Sequence, residues 1–233
     1  MTGTRRAFAA SRVEARQLWR RKRALFLLTA LPLAFYGVSA GHDPRAVVVG
    51  GIAMAFSLSG AAIFSTLAAR TVDQRLVLAG YRSGELQLGR LMVLETFGLA
   101  VAAAFSAVMI TGSDPPRASL LVAAIVLVAL IAVPFGSTLG ALLPSELEAV
   151  LVMIGVVGIQ LSVGETASAG KLLPFWGPRR LLDASLGEQV STGRMALIAL
   201  AYGAELLVLT LVLSVRRLRL APHARGDRTG SSS

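Results

Sequence analysis

The chain has 233 residues, 55% of them hydrophobic and 15% charged, with a mean hydropathy of +0.68 and a formal net charge of +10. That apolar content exceeds what a water-soluble domain uses. Cysteine is absent, which excludes disulfides, thiol nucleophiles, iron–sulfur clusters and thiolate zinc sites.

The apolar residues gather in six runs: Ala24–Ala40, Ala46–Ala69, Leu91–Thr111, Ala118–Leu143, Leu147–Val163 and Met195–Val215. A hydrocarbon core about 30 Å thick needs ~20 mostly apolar residues per helical crossing. The expected fold is therefore an all-α membrane protein with six transmembrane helices over residues 24–215, leaving no room for a soluble catalytic domain. The first run is the shortest and carries Pro32. It follows a strongly charged segment and precedes five more runs, so it does not read as a cleaved signal peptide.

Residues 1–23 precede the first run. At a helical period, Phe8, Ala15, Leu18 and Trp19 share one side, and Arg5, Arg12, Arg16, Arg20 and Arg23 form a neighbouring stripe. This pattern predicts an amphipathic interfacial helix over Arg5–Arg23, which also serves as a topology signal. Of the 23 Lys and Arg residues, all but Arg45, Arg117, Lys171, Arg179, Arg180 and Arg194 fall on one side of the predicted spans. The positive-inside bias then places both termini in the cytoplasm. The basic excess sits at span ends, where anionic lipid accounts for it, so no nucleic-acid partner is expected. Arginine greatly outnumbers lysine (only Lys22 and Lys171), and Ala, Val, Leu and Gly abound. That usage suits a GC-rich bacterial genome and a multi-pass protein of the bacterial cytoplasmic membrane.

The connection Arg70–Arg90 is the longest on the cytoplasmic side. Val72, Leu76 and Val77 have helical spacing, with Asp73 and Arg75 expected to be exposed beside them. Gly80–Tyr81 breaks that helix. Ser83 is placed to cap a second helix, containing Glu85, that runs into the third span. A short helix at a membrane face is a docking element for a cytosolic partner; a solvated loop is the alternative. In the fourth span, Gly136 and Gly140 form a GxxxG pair, a signal of close helix packing. The turn after it holds Ser145 and Glu148 at capping-box spacing, with Glu146 between them.

The external segment 164–194 is long for a connection. Its apolar stretches Leu172–Trp176 and Leu181–Leu182 predict either a re-entrant segment or an interfacial helix. Gly164–Lys171 imitates a phosphate-binding loop and fails: five residues separate its glycines, and Leu172 stands where Ser or Thr would hold magnesium. The two histidines, His42 and His223, lie outside the spans. No catalytic constellation or metal site emerges. Within the spans, Glu205 is the outstanding polar residue. A carboxylate at that depth costs several kcal/mol, about 2.5–3.5 at the low end for Asp. It should meet the bundle interior, a partner or a watery path. Glu95 and Gln160 are weaker polar markers. Residues 216–233 read as a cytoplasmic tail, its last part disordered.

The order of these parts resembles the membrane subunit of ABC-2 type exporters. In that family an interfacial helix precedes six spans, a coupling helix joins the second and third, and a short coupling turn follows the fourth. An external re-entrant segment separates the last two. Asp73–Gln74–Arg75 through Gly80, then Gly84–Glu85–Leu86 and Gly89–Arg90, look like the coupling segment. Leu173–Pro174–Phe175 and the following Arg180–Leu181–Leu182 look like the external one. The coupling charge is thinner here than the family's Glu-Arg-Glu-like pattern. The resemblance implies a separate ATP-binding subunit docked on Arg70, Asp73, Arg75, Arg82, Glu85, Glu146 and Glu148. It also implies a second permease subunit, identical or related. ATP and magnesium would belong to the partner, leaving this chain without a cofactor or an enzymatic activity. A competing reading is a stand-alone six-span secondary transporter or channel with Glu205 as its proton site. A lipid-processing enzyme is disfavoured by the lack of paired catalytic groups.

Overall fold

A computed structural model describes residues 30, 32–38, 40, 45–162 and 168–220. The predicted interfacial helix Arg5–Arg23, most of the first predicted span and the tail beyond residue 220 lie outside them. Among the described residues the chain is helical and has no strand. The helices are α1 (Ala46–Ala68), α2 (Arg70–Leu78), α3 (Ser83–Ser113), α4 (Ala118–Leu142), α5 (Glu146–Ser162), α6 (Trp176–Ser185) and α7 (Thr192–Leu220). A short 3-10 turn, Ser168–Leu172, precedes α6.

Four helices are long and apolar enough to cross a membrane: α1, α3, α4 and α7 through Arg216. This is fewer than the six spans expected. Helix α5, with 17 residues, is shorter than those four, and the first predicted run is only partly described. Residues 32–38 are helical, and Tyr36 packs edge-on against Phe105 with ring centroids 6.1 Å apart. Its hydroxyl bonds to Ser113 Oγ. Residues 32–38 are thereby tied to α3.

Helix α4 is the spine. It packs most broadly against α1, then α7, α3 and α6. Every residue from Ile131 to Gly140 is buried. Lipid is as apolar as leucine, so helices in a bilayer associate through close packing and interhelical hydrogen bonds. Both occur here. A Cβ on Gly136 would lie 2.1 Å from the Ser59 carbonyl oxygen, and one on Gly140 would lie 3.0 Å from Thr66 Cβ. The GxxxG pair therefore seats α4 directly on the backbone of α1. Ser59 Oγ adds a 3.0 Å hydrogen bond to the Ala132 carbonyl.

Pro134 lies inside α4 and cannot donate to the carbonyl one turn earlier, at Leu130. Gly203 of α7 faces that carbonyl, and a Cβ there would sit 3.8 Å from it. Farther along, the Thr138 and Thr210 hydroxyls bond at 2.7 Å, and Thr210 Oγ1 lies 3.1 Å from the Pro134 carbonyl. Polar groups on α7 thus cluster along the proline-containing stretch of α4.

Helix α6 is amphipathic and packs against α4, α7 and α1. Gly177 meets the Met195 carbonyl and Ala199, while Leu182 presses on Gly51. Those contacts lie several residues inside α1 and α7, so α6 is inserted between helices. Phe175, which is fully buried, stacks edge-on with Phe135 of α4 at 5.6 Å.

The helix breaks follow local chemistry. Gly80 has φ +92°, a conformation that only glycine adopts freely, and α2 stops there. Ser145 Oγ accepts the Glu148 backbone N–H at 3.3 Å, one half of the predicted capping box. Ser83 differs from expectation. It is the first residue of α3; Arg82 is the cap, with no side-chain cap bond.

The Gly136 contact generates a sharp test. Gly136→Ala forces a methyl into the Ser59 carbonyl and should destabilise by about 1–3 kcal/mol, the usual cost of overpacking. Gly155→Ala, where nothing lies within 4 Å, should be neutral. Thermal unfolding of the detergent-solubilised protein reads both.

Candidate functional site

The C-terminal ends of α1, α4 and α7 and the N-termini of α3 and α5 meet at one end of the bundle, with α2 lying among them. Two residues fix α2. Arg70 reaches the end of α4: its Nη2 donates to the Gly140 carbonyl at 2.7 Å and to the Leu143 carbonyl, and its Nη1 donates to the Pro144 carbonyl at 2.8 Å. The last four carbonyls of a helix have no partner within it. The Arg70 guanidinium satisfies that of Gly140, together with those of Leu143 and Pro144 just beyond, and complements the negative end of the helix dipole.

Asp73, one turn on, accepts two 2.9 Å bonds from Nη2 of Arg90, one on each carboxylate oxygen. The side chains are 13% and 4% exposed, so the pair is largely desolvated. Arg90 Nη1 also donates to Gln87 Oε1 at 3.0 Å. Arg90 sits on the buried stripe of α3, with Leu86, Gln87, Leu91 and Leu94. The ion pair thus joins α2 to the inner face of α3.

Around these groups lies a polar cavity of about 80 Å³. Its walls are Thr66 of α1, Arg70, Asp73 and Gln74 of α2, Ser83, Gln87 and Arg90 of α3, Ala141 of α4 and Ser214 of α7. Among the atoms of its wall residues, Gln87 Nε2 and Thr66 Oγ1 are buried without a hydrogen-bond partner.

The sequence-predicted residues fall into distinct sets. Arg70 and Asp73 are engaged inside the molecule. The expectation that Asp73 is exposed and Val72 packed is reversed: Val72 is 45% exposed, and Asp73 points inward. The cause is Arg90, which draws the carboxylate under α2 and rotates Val72 out. Arg75 and Arg82 are exposed, and Glu85 is half-buried. Glu146 and Glu148 are exposed at the start of α5, next to the turn that Arg70 grips. Leu78 (83% exposed) and Leu147 (69%) add apolar surface to this end.

The remaining polar residues lie elsewhere. Gln160 is buried on α5, its carbonyl accepting from Arg179 of α6. Glu95 is half-buried on α3, with Oε2 unpartnered. Glu205 is exposed on the outer face of α7. The bundle interior is thus not where Glu205 resides; of the surroundings expected for it, a partner or a watery path remain. Among the described residues no group of three or more His, Asp or Glu is placed to hold a metal.

Sequence reading missed the Asp73–Arg90–Gln87 cluster and the Arg70 cap. A signal for the first was present: Gln87 and Arg90 occupy the same helical stripe as Leu86, Leu91 and Leu94. An arginine in an apolar stripe implies a buried counter-charge. No protein-family model matches the chain, and no curated protein matches it.

Removing one partner of a buried pair leaves an uncompensated charge. Asp73→Asn should therefore lower stability by about 3 kcal/mol, whereas Asp73→Asn with Arg90→Gln should cost less than the sum of the two single changes. A double-mutant cycle of thermal unfolding in mild detergent measures this. Strict additivity of the two changes would rule out the coupling.

Proposed function

We propose that this chain is the membrane-spanning permease subunit of an ATP-driven exporter of the ABC-2 type, and that it works with a separate ATP-binding subunit. The observation that carries the reading is the anchoring of α2. A nine-residue helix at the end of the bundle is bonded to α4 through Arg70 and to α3 through Asp73 and Arg90. A force on α2 is therefore delivered to two long helices at once. The outer face of α2 offers Val72, Arg75 and Leu78, and Glu146, Leu147 and Glu148 lie past the turn that Arg70 holds. That surface mixes apolar and charged groups, as a protein contact requires. The charge bias reads this end as cytoplasmic, where ATP is available.

In this reading the division of labour among the predicted docking residues changes. Arg75, Arg82, Glu146 and Glu148 contact the ATPase. Arg70 and Asp73 hold α2 rigid and transmit its movement. Hydrolysis and magnesium belong to the partner. A second permease subunit completes the pathway in the bacterial cytoplasmic membrane.

The test is co-purification: the chain is expressed with its genomic neighbours, pulled down in mild detergent and probed for a bound ATPase. Reversing Arg75, Glu146 and Glu148 should lose the ATPase while the permease still folds. Reversing Asp73 should instead lower the amount of folded permease. Retention of the ATPase by the triple reversal would remove the docking surface.

Glu205 favours a second reading, a stand-alone proton-coupled transporter, because its carboxylate stands mid-span and outside the packed interior. The two readings differ in one experiment. In the exporter, Glu205→Gln retains transport, and dissipating the proton gradient leaves ATP-driven export intact. In the stand-alone transporter, both treatments abolish transport by the purified chain in liposomes.

A further inference from the structure

We propose that the polar cavity at the α2 end is a binding site for a phosphate-type oxyanion, the chemistry shared by an anionic lipid headgroup and free phosphate. The inference needs only that the long helices span a bilayer; it is independent of the exporter reading.

Three observations carry it. The first is the donor set. Gln87 and Thr66 are among the residues that line the cavity, and the Gln87 amide nitrogen and the Thr66 hydroxyl are buried with no hydrogen-bond partner. Gln87 is 3% exposed and Thr66 6% exposed. Gln87 Oε1 is already used by Arg90, so what the amide has left to offer is its NH2. A buried donor with nothing to donate to is costly, and such groups call for a bound acceptor.

The second is charge. Two guanidiniums, Arg70 and Arg90, share the cavity with one carboxylate, Asp73, which Arg90 holds by both oxygens. The walls therefore carry net positive charge. Water alone would satisfy the orphan donors, but it would not use that charge. A cation would meet the two arginines.

The third is position. Helix α3 has 31 residues and is roughly 46 Å long at 1.5 Å per residue, well beyond a hydrocarbon core of about 30 Å. Its Ser83–Arg90 end therefore protrudes, which puts the cavity at headgroup depth. The volume of about 80 Å³ is several times that needed for one water, and it admits one tetrahedral oxyanion.

Two variants isolate the site. Gln87→Glu keeps the oxygen that Arg90 uses and replaces the donor amide with a repelling oxygen. Thr66→Val removes the hydroxyl and keeps the shape. The full chain and each variant are placed in nanodiscs of phosphatidylcholine alone or of an equimolar mixture with phosphatidylglycerol. Bound lipid is read by native mass spectrometry and unfolding by thermal melt. A parallel melt in detergent compares inorganic phosphate with chloride at equal ionic strength.

The wild type should retain phosphatidylglycerol over phosphatidylcholine and melt higher in the mixed discs. Gln87→Glu should weaken that retention by about tenfold or more, the effect expected for losing a hydrogen bond to a charged group. Thr66→Val should weaken it less. Stabilisation of the wild type by inorganic phosphate, absent in Gln87→Glu, without any lipid preference, would also support the site and identify free phosphate as its source. Variants that match the wild type in lipid retention and in phosphate response would overturn the proposal and leave a water-filled cavity.

Discussion

Arg70 begins α2 with only Ala69 between it and the end of α1, and its guanidinium closes α4. The interaction satisfies several needs at once. The carbonyls of Gly140, Leu143 and Pro144 gain donors where the helix itself supplies none. A positive charge sits at the negative end of the α4 dipole. The chain leaving α1 is also turned across the bundle end instead of continuing into solvent. With α2 so directed, Asp73 comes under the helix and meets Arg90. The cavity, the exposed edge of α2 and the placement of the α5 start all depend on this one contact.

The opposite requirement governs the middle of the bundle. There, polar groups must be few and satisfied, because lipid offers no partners. Helix α4 contains the one proline inside a described long helix, and glycine and threonine from its neighbours are gathered along it. Gly136 and Gly140 bring α1 into backbone contact, while Gly203 allows α7 near the Leu130 carbonyl. Thr138 and Thr210 bond to each other across the same interface. A spine anchored on two sides suits a protein in which force applied at one end is meant to reach the other. The clamp on α2 delivers that force, in the proposed exporter, to the end of this spine.

The sequence made the long helices legible because their signal is local. An apolar run flanked by charge needs no knowledge of the rest of the chain, and the observed ends of α1 and α4 fall within a residue of expectation. The break at Gly80 and the Ser145 cap were legible for the same reason. The facing of α2 was not. Its period places Leu76 and Val77 on one side, and they are indeed partly covered. Whether Val72 or Asp73 completes that side depends on a charge 17 residues away on another helix. The Arg70 cap spans 70 residues or more of sequence, and no pattern within a single segment encodes it.

Glu205 marks the limit of reasoning from composition. Depth in a span says that a carboxylate must avoid lipid, and the natural expectation is that it turns inward. Yet α7 is the least covered of the long helices, with only 11% of its apolar window buried against 72% for α1. Its inner stripe holds Met195, Ala199, Gly203, Leu206, Thr210 and Ser214, with Gly203 and Thr210 at the close approach to α4. Glu205 falls on another side of the helix at 3.6 residues per turn. The register in which α7 lies against a proline-containing helix therefore keeps the carboxylate out of the interior. Glu205 is left on a face that a second subunit or water, rather than hydrocarbon, must meet.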